Sequence, residues 1–286
     1  MATRRTAPSQ RRRSARARRR NTGSDLLARV LVAVPAVAFA ITIVYFGGAI
    51  FALAVLALGL VCLHELYDLL APMRPIRLAG FLGLGGLVLA AALGGERQVL
   101  LAAAALLPVL FALSVAAPER DRVTLGISAT ALGVYWIGLG IAHAVLLRGL
   151  DHGGALLFLV LLGTFIGDTG AYLGGRLLGT TPLAPRISPH KTWEGLGCGV
   201  VVAVVAVWYA SRTYPGTWIS GVDGLLLGVA VALAAPLGDL FESLIKRDVG
   251  AKDTGSLFGV HGGALDRLDA VLFSVIAGYH VWLVAM

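Results

Sequence analysis

Charged residues are scarce in this chain. Asp, Glu, Lys and Arg make up 14% of its 286 residues, whereas hydrophobic residues make up 57%. Soluble domains carry roughly 25% charged residues, and apolar surface of this extent would stay uncovered in water. Cysteine is scarce too, since Cys62 and Cys198 both lie in apolar runs without a CxxC partner. These shortages argue against a soluble domain and against a disulfide framework.

The net positive charge of +8 comes from one segment. Residues 1–20 contain nine of the 24 Lys and Arg residues and no acid, whereas the rest of the chain carries 15 basic and 16 acidic residues. We predict that residues 1–24 form a disordered, cytoplasmic, Arg-rich tail that lies against anionic lipid. RNA binding is the alternative use of such a run, but no specific nucleic-acid partner is expected. Residues 25–286 are predicted to form one membrane domain.

Apolar runs of about 20 residues recur along this domain, as in polytopic helical membrane proteins. We therefore predict an all-α transmembrane bundle of about nine spans, and no repeat of 20–50 residues is visible. The first span is expected to be uncleaved, although Ala38-Phe39-Ala40 has the form of a signal-peptide cleavage site. The predicted spans are 26–46, 48–70, 77–94, 98–117, 123–147, 154–175, 194–211, 222–245 and 265–285.

The distribution of Lys and Arg predicts the topology. With a cytoplasmic N-terminus, 20 basic residues fall on the inner side and only Arg97, Arg148 and Arg212 fall on the outer side. This asymmetry satisfies the positive-inside rule. The long loops 176–193 and 246–264 then share the cytoplasmic face, where nucleotides and Mg²⁺ are available.

The densest group of charges lies between residues 239 and 269. Asp239, Glu242, Ser243 and Lys246 follow i, i+3, i+4, i+7 spacing and therefore share one face of the eighth span. The ninth span opens with Asp266 and Asp269 after a flexible glycine turn. A solvated helix end with an internal ion pair would explain the first group, and the helix dipole would explain the second. Two acidic helix ends on one membrane face are also suited to hold a hard divalent cation, which we favour.

A second polar group surrounds the sixth span. Asp168 is an acid within an apolar run, which makes it a functional candidate. The following loop provides Ser188, Lys191 and Thr192, and either Ser188 or Thr192 could cap the next helix. Such a loop suits phosphate, but its spacing is not that of a P-loop. His64, Glu65 and Asp68 leave two alternatives open, namely structural pairing with another helix or a supporting role at the site.

These segments resemble the phosphatidate cytidylyltransferase (CDP-diacylglycerol synthase) family. The resemblance is carried mainly by residues 165–270, and at one position Ala264 stands where a larger aliphatic residue is usual, which we expect to affect packing. The matching motifs are Ser243-Leu244-Ile245-Lys246-Arg247, Lys252-Asp253, His261-Gly262-Gly263, Asp266-Arg267-Leu268-Asp269, Asp168-Thr169-Gly170-Ala171-Tyr172 and Ser188-Pro189-His190-Lys191-Thr192.

The resemblance implies an integral-membrane nucleotidyltransferase of phospholipid biosynthesis that converts CTP and phosphatidate to CDP-diacylglycerol and pyrophosphate with Mg²⁺. It implies location in the cell (inner) membrane, with the active site on the cytoplasmic face, and a homodimer. Whether a second cation takes part stays open. Catalytic roles are implied for Asp239, Asp266, Lys246, Arg267 and His261; substrate binding for Ser188, Lys191, Thr192, Ser243, Arg247 and Lys252; and metal binding for Asp239 and Asp266, with Asp168, Asp253, Asp269 and Glu242 in supporting positions.

Two other functions remain in view. A related cytidylyltransferase acting on a different lipid phosphate would keep the same charges. A transporter would place its polar site near the middle of the membrane, whereas most charges here lie toward one face.

Overall fold

The structure is a computed structural model that describes residues 38–116, 121–213, 218–255 and 262–285. The predicted tail, residues 1–24, lies outside the described residues, as does most of the first predicted span. Within the described ranges the chain is helical apart from short connections and one hairpin. Residues 38–46 are helical and are labelled α1.

Nine further helices follow α1 in the described ranges. A 3₁₀ turn at Ala71–Met73 separates α2 from α3, and a π-helical turn at Val134–Gly138 joins α5 to α6 without a break. The helices are Gly48–Leu69 (α2), Arg77–Leu93 (α3), Glu96–Ala116 (α4), Val123–Gly133 (α5), Leu139–Gly149 (α6), Gly153–Leu178 (α7), Trp193–Thr213 (α8), Gly221–Asp248 (α9) and Leu265–Ala285 (α10).

The prediction of an all-α polytopic membrane protein is confirmed. Seven helices in the described part of the chain are long and apolar enough to cross a membrane, with Val123–Gly149 counted as one continuous helix. The 17-residue helix α3 is apolar but shorter. Helices therefore stand at eight of the nine predicted spans, while the number of spans and the orientation stay predictions.

Helices α7, α8 and α9 pack closely because small residues line their contacts. A Cβ atom on Gly174 of α7 would overlap Cys198 of α8, and one on Gly199 would overlap Ala171. Small residues at such positions let helix backbones approach each other, which drives helix association in lipid. The close packing holds the C-terminal halves of α7 and α9 near the start of α8.

Apart from Asp223 in its first turn, the charged residues of α9 lie toward its C-terminal end. This helix has 28 residues and is about 42 Å long, whereas the hydrocarbon core of a bilayer is about 30 Å thick. Asp239 lies about 27 Å along the helix and Lys246 about 37 Å, so these charges would lie near and beyond the boundary of a core that begins at the first turn of α9. We call this the polar end: α2, α7 and α9 finish there, and α8 and α10 begin there.

Candidate active site

A short hairpin connects α7 to α8 at the polar end. Strands β1 (Pro182–Ala184) and β2 (Ser188–Thr192) pair antiparallel, where the sequence predicted only a loop. Glu194 closes the base of the hairpin by accepting hydrogen bonds from the Thr180 hydroxyl at 2.7 Å and the Thr181 N–H at 3.2 Å. Thr192 Oγ1 accepts from the Gly195 N–H at 3.1 Å, which confirms that Thr192 caps the next helix.

The hairpin carries Lys191 to the polar face of α9. Lys191 Nζ forms an ion pair with Asp239 Oδ2, and Ser243 Oγ donates to Asp239 Oδ1 at 3.4 Å. The side chains of Lys191 and Asp239 are 29% and 34% exposed, so both reach the surface. Asp168 of α7 is exposed and lies within electrostatic range of both residues. The two polar groups identified in the sequence therefore meet in space.

A second ion-pair group is more deeply buried. Lys246 Nζ donates to Glu242 Oε2 at 2.6 Å and to Asp266 Oδ1 at 2.7 Å, linking α9 to the first turn of α10. The Lys246 side chain is 11% exposed and that of Glu242 only 2%. Buried charges are tolerated when they are paired and hydrogen-bonded, and removing one partner is then costly. These contacts support a role for Lys246 in holding the two acids.

Asp266 is fixed by several donors at once. Its Oδ2 atom accepts from the Gly263 N–H at 2.7 Å, the Thr254 N–H at 3.0 Å and the Thr254 hydroxyl at 3.0 Å. Together with Lys246 on Oδ1, these bonds leave this carboxylate little rotational freedom. Thr254 was not predicted as a site residue, and its only signal in the sequence is its place next to Asp253 within the motif.

Glu65 of α2 is the residue that sequence reasoning left most open. Its carboxylate is buried, with Oε1 accepting from the Ala264 N–H at 3.0 Å and Oε2 accepting from the Leu265 N–H at 2.9 Å. Oε2 also lies 3.5 Å from the Thr254 hydroxyl. Glu65 therefore satisfies otherwise unpaired N–H groups at the start of α10 and contacts the residue that holds Asp266. Structural pairing is thus confirmed, and it is next to the site.

His64 and Asp68, which lie close to Glu65 in the sequence, have different surroundings. Both are exposed on the last turns of α2. Asp68 pairs with Arg77 at 2.6 Å and lies 3.4 Å from the His64 ring. These contacts join α2 to the start of α3, and they involve none of the predicted site residues.

The remaining predicted residues lie around the edge of the two ion-pair groups. Arg247 donates to the Ile187 carbonyl at 3.3 Å and the Ala251 carbonyl at 3.2 Å, which ties the hairpin to the end of α9. Lys252 and Asp253 are exposed and Ser188 is half-buried, and the side chains of these three residues form no hydrogen bond or ion pair with a described residue. Arg267 is exposed, and His261 lies outside the described residues.

The acids at the polar end fit a divalent cation by the type of their donor atoms. Asp269 is buried and lies within electrostatic range of Asp239 and Glu242. The Oε1 atom of Glu242 is buried and accepts no hydrogen bond from an N–H or O–H group of a described residue. Among the described side chains, no three of His, Cys, Asp or Glu converge closely enough to form a metal centre by themselves. Mg²⁺ usually takes only one or two carboxylates, with phosphate oxygens and waters as its other ligands. The partly exposed Asp239 with neighbouring acids fits such an arrangement.

Taken together, the fold and the site define an integral membrane protein whose polar end gathers cations and acids suited to phosphate-bearing ligands. The chain matches the cytidylyltransferase family over residues 27–285, and it belongs to that family.

Curated relatives agree with this membership. The chain is 34% identical over 257 residues to the phosphatidate cytidylyltransferase of Brucella suis, which covers 87% of this chain and 90% of the relative. It is 37% identical over 169 residues to that of Mycobacterium bovis, covering 58% of this chain and 53% of the relative. It is 41% identical over 134 residues to that of Helicobacter pylori, covering 46% and 48%. The match thus spans about half the length of the M. bovis and H. pylori relatives.

Proposed function

We propose that this protein joins CTP to phosphatidate, releasing pyrophosphate and forming CDP-diacylglycerol. The observation that carries the proposal is the meeting of Lys191 and Asp239 with the Lys246 and Asp266 group at the polar end. The relatives named phosphatidate cytidylyltransferase support the same reaction.

In this reaction an oxygen of the lipid phosphate attacks the α-phosphorus of CTP. The new P–O bond forms as the bond from the α-phosphorus to the bridging oxygen breaks, and the bonding electrons leave with pyrophosphate. Both reactants are anions, so the protein has to neutralise charge and hold the two phosphates in line. No side-chain nucleophile is needed.

Lys191 is the cation best placed to meet a substrate phosphate. Its ammonium has three N–H donors and is partly exposed, so it can donate to a phosphate while it remains paired with Asp239. Arg247 at the end of α9, Lys252 shortly after it and Arg267 at the start of α10 are also exposed and would add positive charge. Lys246 is enclosed by its two acids and would instead keep Asp266 in place.

We propose Asp239 and Asp266 as the principal residues for Mg²⁺, with Asp168, Asp253 and Asp269 supporting them. When bound, the cation would neutralise phosphate charge. The carboxylate of Asp239 is partly exposed and accessible to a cation. The oxygens of Asp266 already accept several hydrogen bonds, so Asp266 would bind the cation only while it also keeps some of these bonds.

We further propose that the polar end faces the cytoplasm, because 20 basic residues lie on that side of the predicted topology against three on the other. The cell (inner) membrane is the proposed location, and a homodimer stays a prediction. Lipid tails would enter between helices from the inner leaflet.

Pyrophosphate release by the purified full chain in detergent tests the function. We expect release only when CTP, phosphatidate and Mg²⁺ are all present, and loss of release in EDTA. Asp266→Asn should abolish turnover without loss of expression, whereas Asp151→Asn in an exposed loop should not change it. If pyrophosphate is released with another lipid phosphate but not with phosphatidate, the proposed reaction type stands and the proposed lipid substrate is wrong. If folded protein releases no pyrophosphate with any lipid phosphate, the proposed enzymatic activity is refuted.

A further inference from the structure

A cavity lies at the polar end, where α4, α5 and the connection that precedes α3 meet. Its volume is about 200 Å³, far more than the roughly 10–15 Å³ that one water needs on the same measure. No lining residue belongs to the hairpin or to α7 through α10, so the cavity is separate from the candidate active site. Charged and apolar side chains line it together, among them Arg74, Ile76, Leu113, Asp121, Arg122 and Val123.

Two arginines enter this cavity from different connections. Arg74 lies between α2 and α3, and Arg122 directly precedes α5. Both have a φ of 55°, in the left-handed region that side chains other than glycine adopt rarely. Among the described non-glycine residues, His152 alone shares this conformation. Such conformations persist where surrounding structure imposes them and they concentrate at functional sites.

Each of these arginines has more N–H donors than the contact described for it uses. Arg74 Nη1 lies 3.4 Å from Asp121 Oδ2, and both side chains are more than half exposed, so this ion pair is weak. Arg122 Nη1 donates to the Pro72 carbonyl at 3.0 Å. A guanidinium carries five N–H donors in a planar fork, and Arg122 can therefore bind an oxygen anion without losing this bond. Arginine forks match phosphate oxygens better than lysines do.

The apolar side of the cavity indicates what carries the phosphate. Leu113 lines it from the end of α4 and is exposed, as is Val109 one turn earlier. Helix α4 is a candidate membrane span with most of its surface exposed, so this face meets lipid tails. A ligand with a phosphate at the arginines and acyl chains along α4 would match both halves of the cavity. Basic pockets between transmembrane helices bind anionic headgroups in this way.

We propose that this cavity binds the phosphate of an anionic phospholipid at a site distinct from the active site. Arg74 and Arg122 hold the phosphate, and Asp121 competes with it for Arg74. The recognised chemistry is a phosphate group, which an anionic headgroup or free inorganic phosphate can supply. The proposal uses no residue of the proposed catalytic machinery, so it stands or falls independently of the proposed function.

Native mass spectrometry of the full chain in detergent tests this site. The protein is titrated with dioleoyl phosphatidylglycerol, with dioleoyl phosphatidylcholine as the zwitterionic control. Inorganic phosphate is tested separately by its effect on thermal unfolding. The variants are Arg74→Gln, Arg122→Gln and Asp121→Asn, and the matched control is Arg97→Gln, which removes an exposed arginine at the other end of α4.

We expect each cavity arginine variant to weaken phosphatidylglycerol binding about fivefold to tenfold, since each removes a charge-assisted contact. Asp121→Asn should strengthen binding, because it removes a carboxylate that competes with the phosphate for Arg74. This gain separates the proposal from simple misfolding. If the variants change the effect of inorganic phosphate in this way but do not change lipid binding, the phosphate site stands and the proposal of a lipid ligand is wrong. Equal losses in Arg97→Gln, or weaker binding in Asp121→Asn, would overturn the proposal altogether.

Discussion

Replacing Glu65 by alanine or glutamine tests whether α2 holds the start of α10 in its working position. In the structure Glu65 accepts the N–H groups of Ala264 and Leu265 at 3.0 and 2.9 Å from a buried position. Without a nearby substitute for the carboxylate, those donors lose their partners. The change also removes negative charge beside a helix N-terminus, where it is favourable.

The magnitude follows from these two bonds. Each buried donor left unpaired costs about 1–3 kcal/mol, so Glu65→Ala should lower the free energy of unfolding by about 2–6 kcal/mol. Glu65→Gln keeps one acceptor oxygen and turns an amide N–H₂ toward one of the donors. We therefore expect it to lie in the lower half of that range. Misplacement of a catalytic group by about 1 Å can cost about 10²-fold in rate.

Activity should fall because Asp266 is displaced, and the affinity for the substrate should change little. Thr254 lies between Glu65 and Asp266, so a shift of α10 moves Asp266 while leaving Lys191 in place. We expect Glu65→Gln to lower kcat for pyrophosphate release at least tenfold with little change in KM for CTP. Thermal unfolding of the same preparation measures the stability loss.

The control is Glu96→Gln. Glu96 is also an acid with a hydrogen bond to another helix, because it accepts from the Tyr279 hydroxyl at 3.3 Å, but it begins α4 far from Asp266 along the fold. The Glu96→Gln protein should have a somewhat lower free energy of unfolding, and its folded form should keep the kcat of the unchanged protein. A Glu65→Gln enzyme with unchanged kcat and stability would refute the positioning role. A rise in KM for CTP with unchanged kcat would show that Glu65 affects substrate binding instead.

Two further changes test other parts of the site. Lys191→Gln should lower kcat/KM for CTP about 10²-fold, as expected for loss of a preorganised donor to a phosphate, whereas Arg212→Gln at the other end of α8 should not change it in the same assay. Gly238→Ala should lower the free energy of unfolding by about 1–3 kcal/mol, because its Cβ atom would overlap the Asp269 carbonyl and Ala270 of α10. The matched change Gly197→Ala meets nothing within 4 Å and should instead be neutral or stabilising in the same unfolding measurement.

The helical spans could be predicted from the sequence because length and hydropathy constrain them strongly. The shared face of α9 could also be predicted, since Asp239, Glu242, Ser243 and Lys246 are related by helical spacing alone. Even the alternative of an internal ion pair was correct in part, because Lys246 does pair with Glu242. That pair is buried rather than solvated, however, and burial depends on how α10 packs against α9.

Contacts between distant segments could not be read from spacing. Lys191 and Asp239 were each assigned a separate role, and their pairing depends on a hairpin that the sequence analysis treated as a loop. Thr254 carries no chemistry on its own and becomes important only where Asp266 and Glu65 approach it. The link from Glu65 to α10 joins residues about 200 positions apart, and local periodicity holds no information about such pairs.

Lys191 and Lys246 differ in exposure, and this difference supports different roles for them. Lys246 is enclosed by two acids, so a substrate phosphate could reach it only after a buried ion pair breaks, which is costly. Lys191 is paired with one partly exposed acid and stands on a hairpin, so it can turn toward an incoming phosphate without exposing a buried charge. We therefore propose that charge neutralisation by Lys191 and positioning of Asp266 by Lys246 are separate functions. A site built this way can admit two anionic reactants without loosening the contacts that hold Asp266.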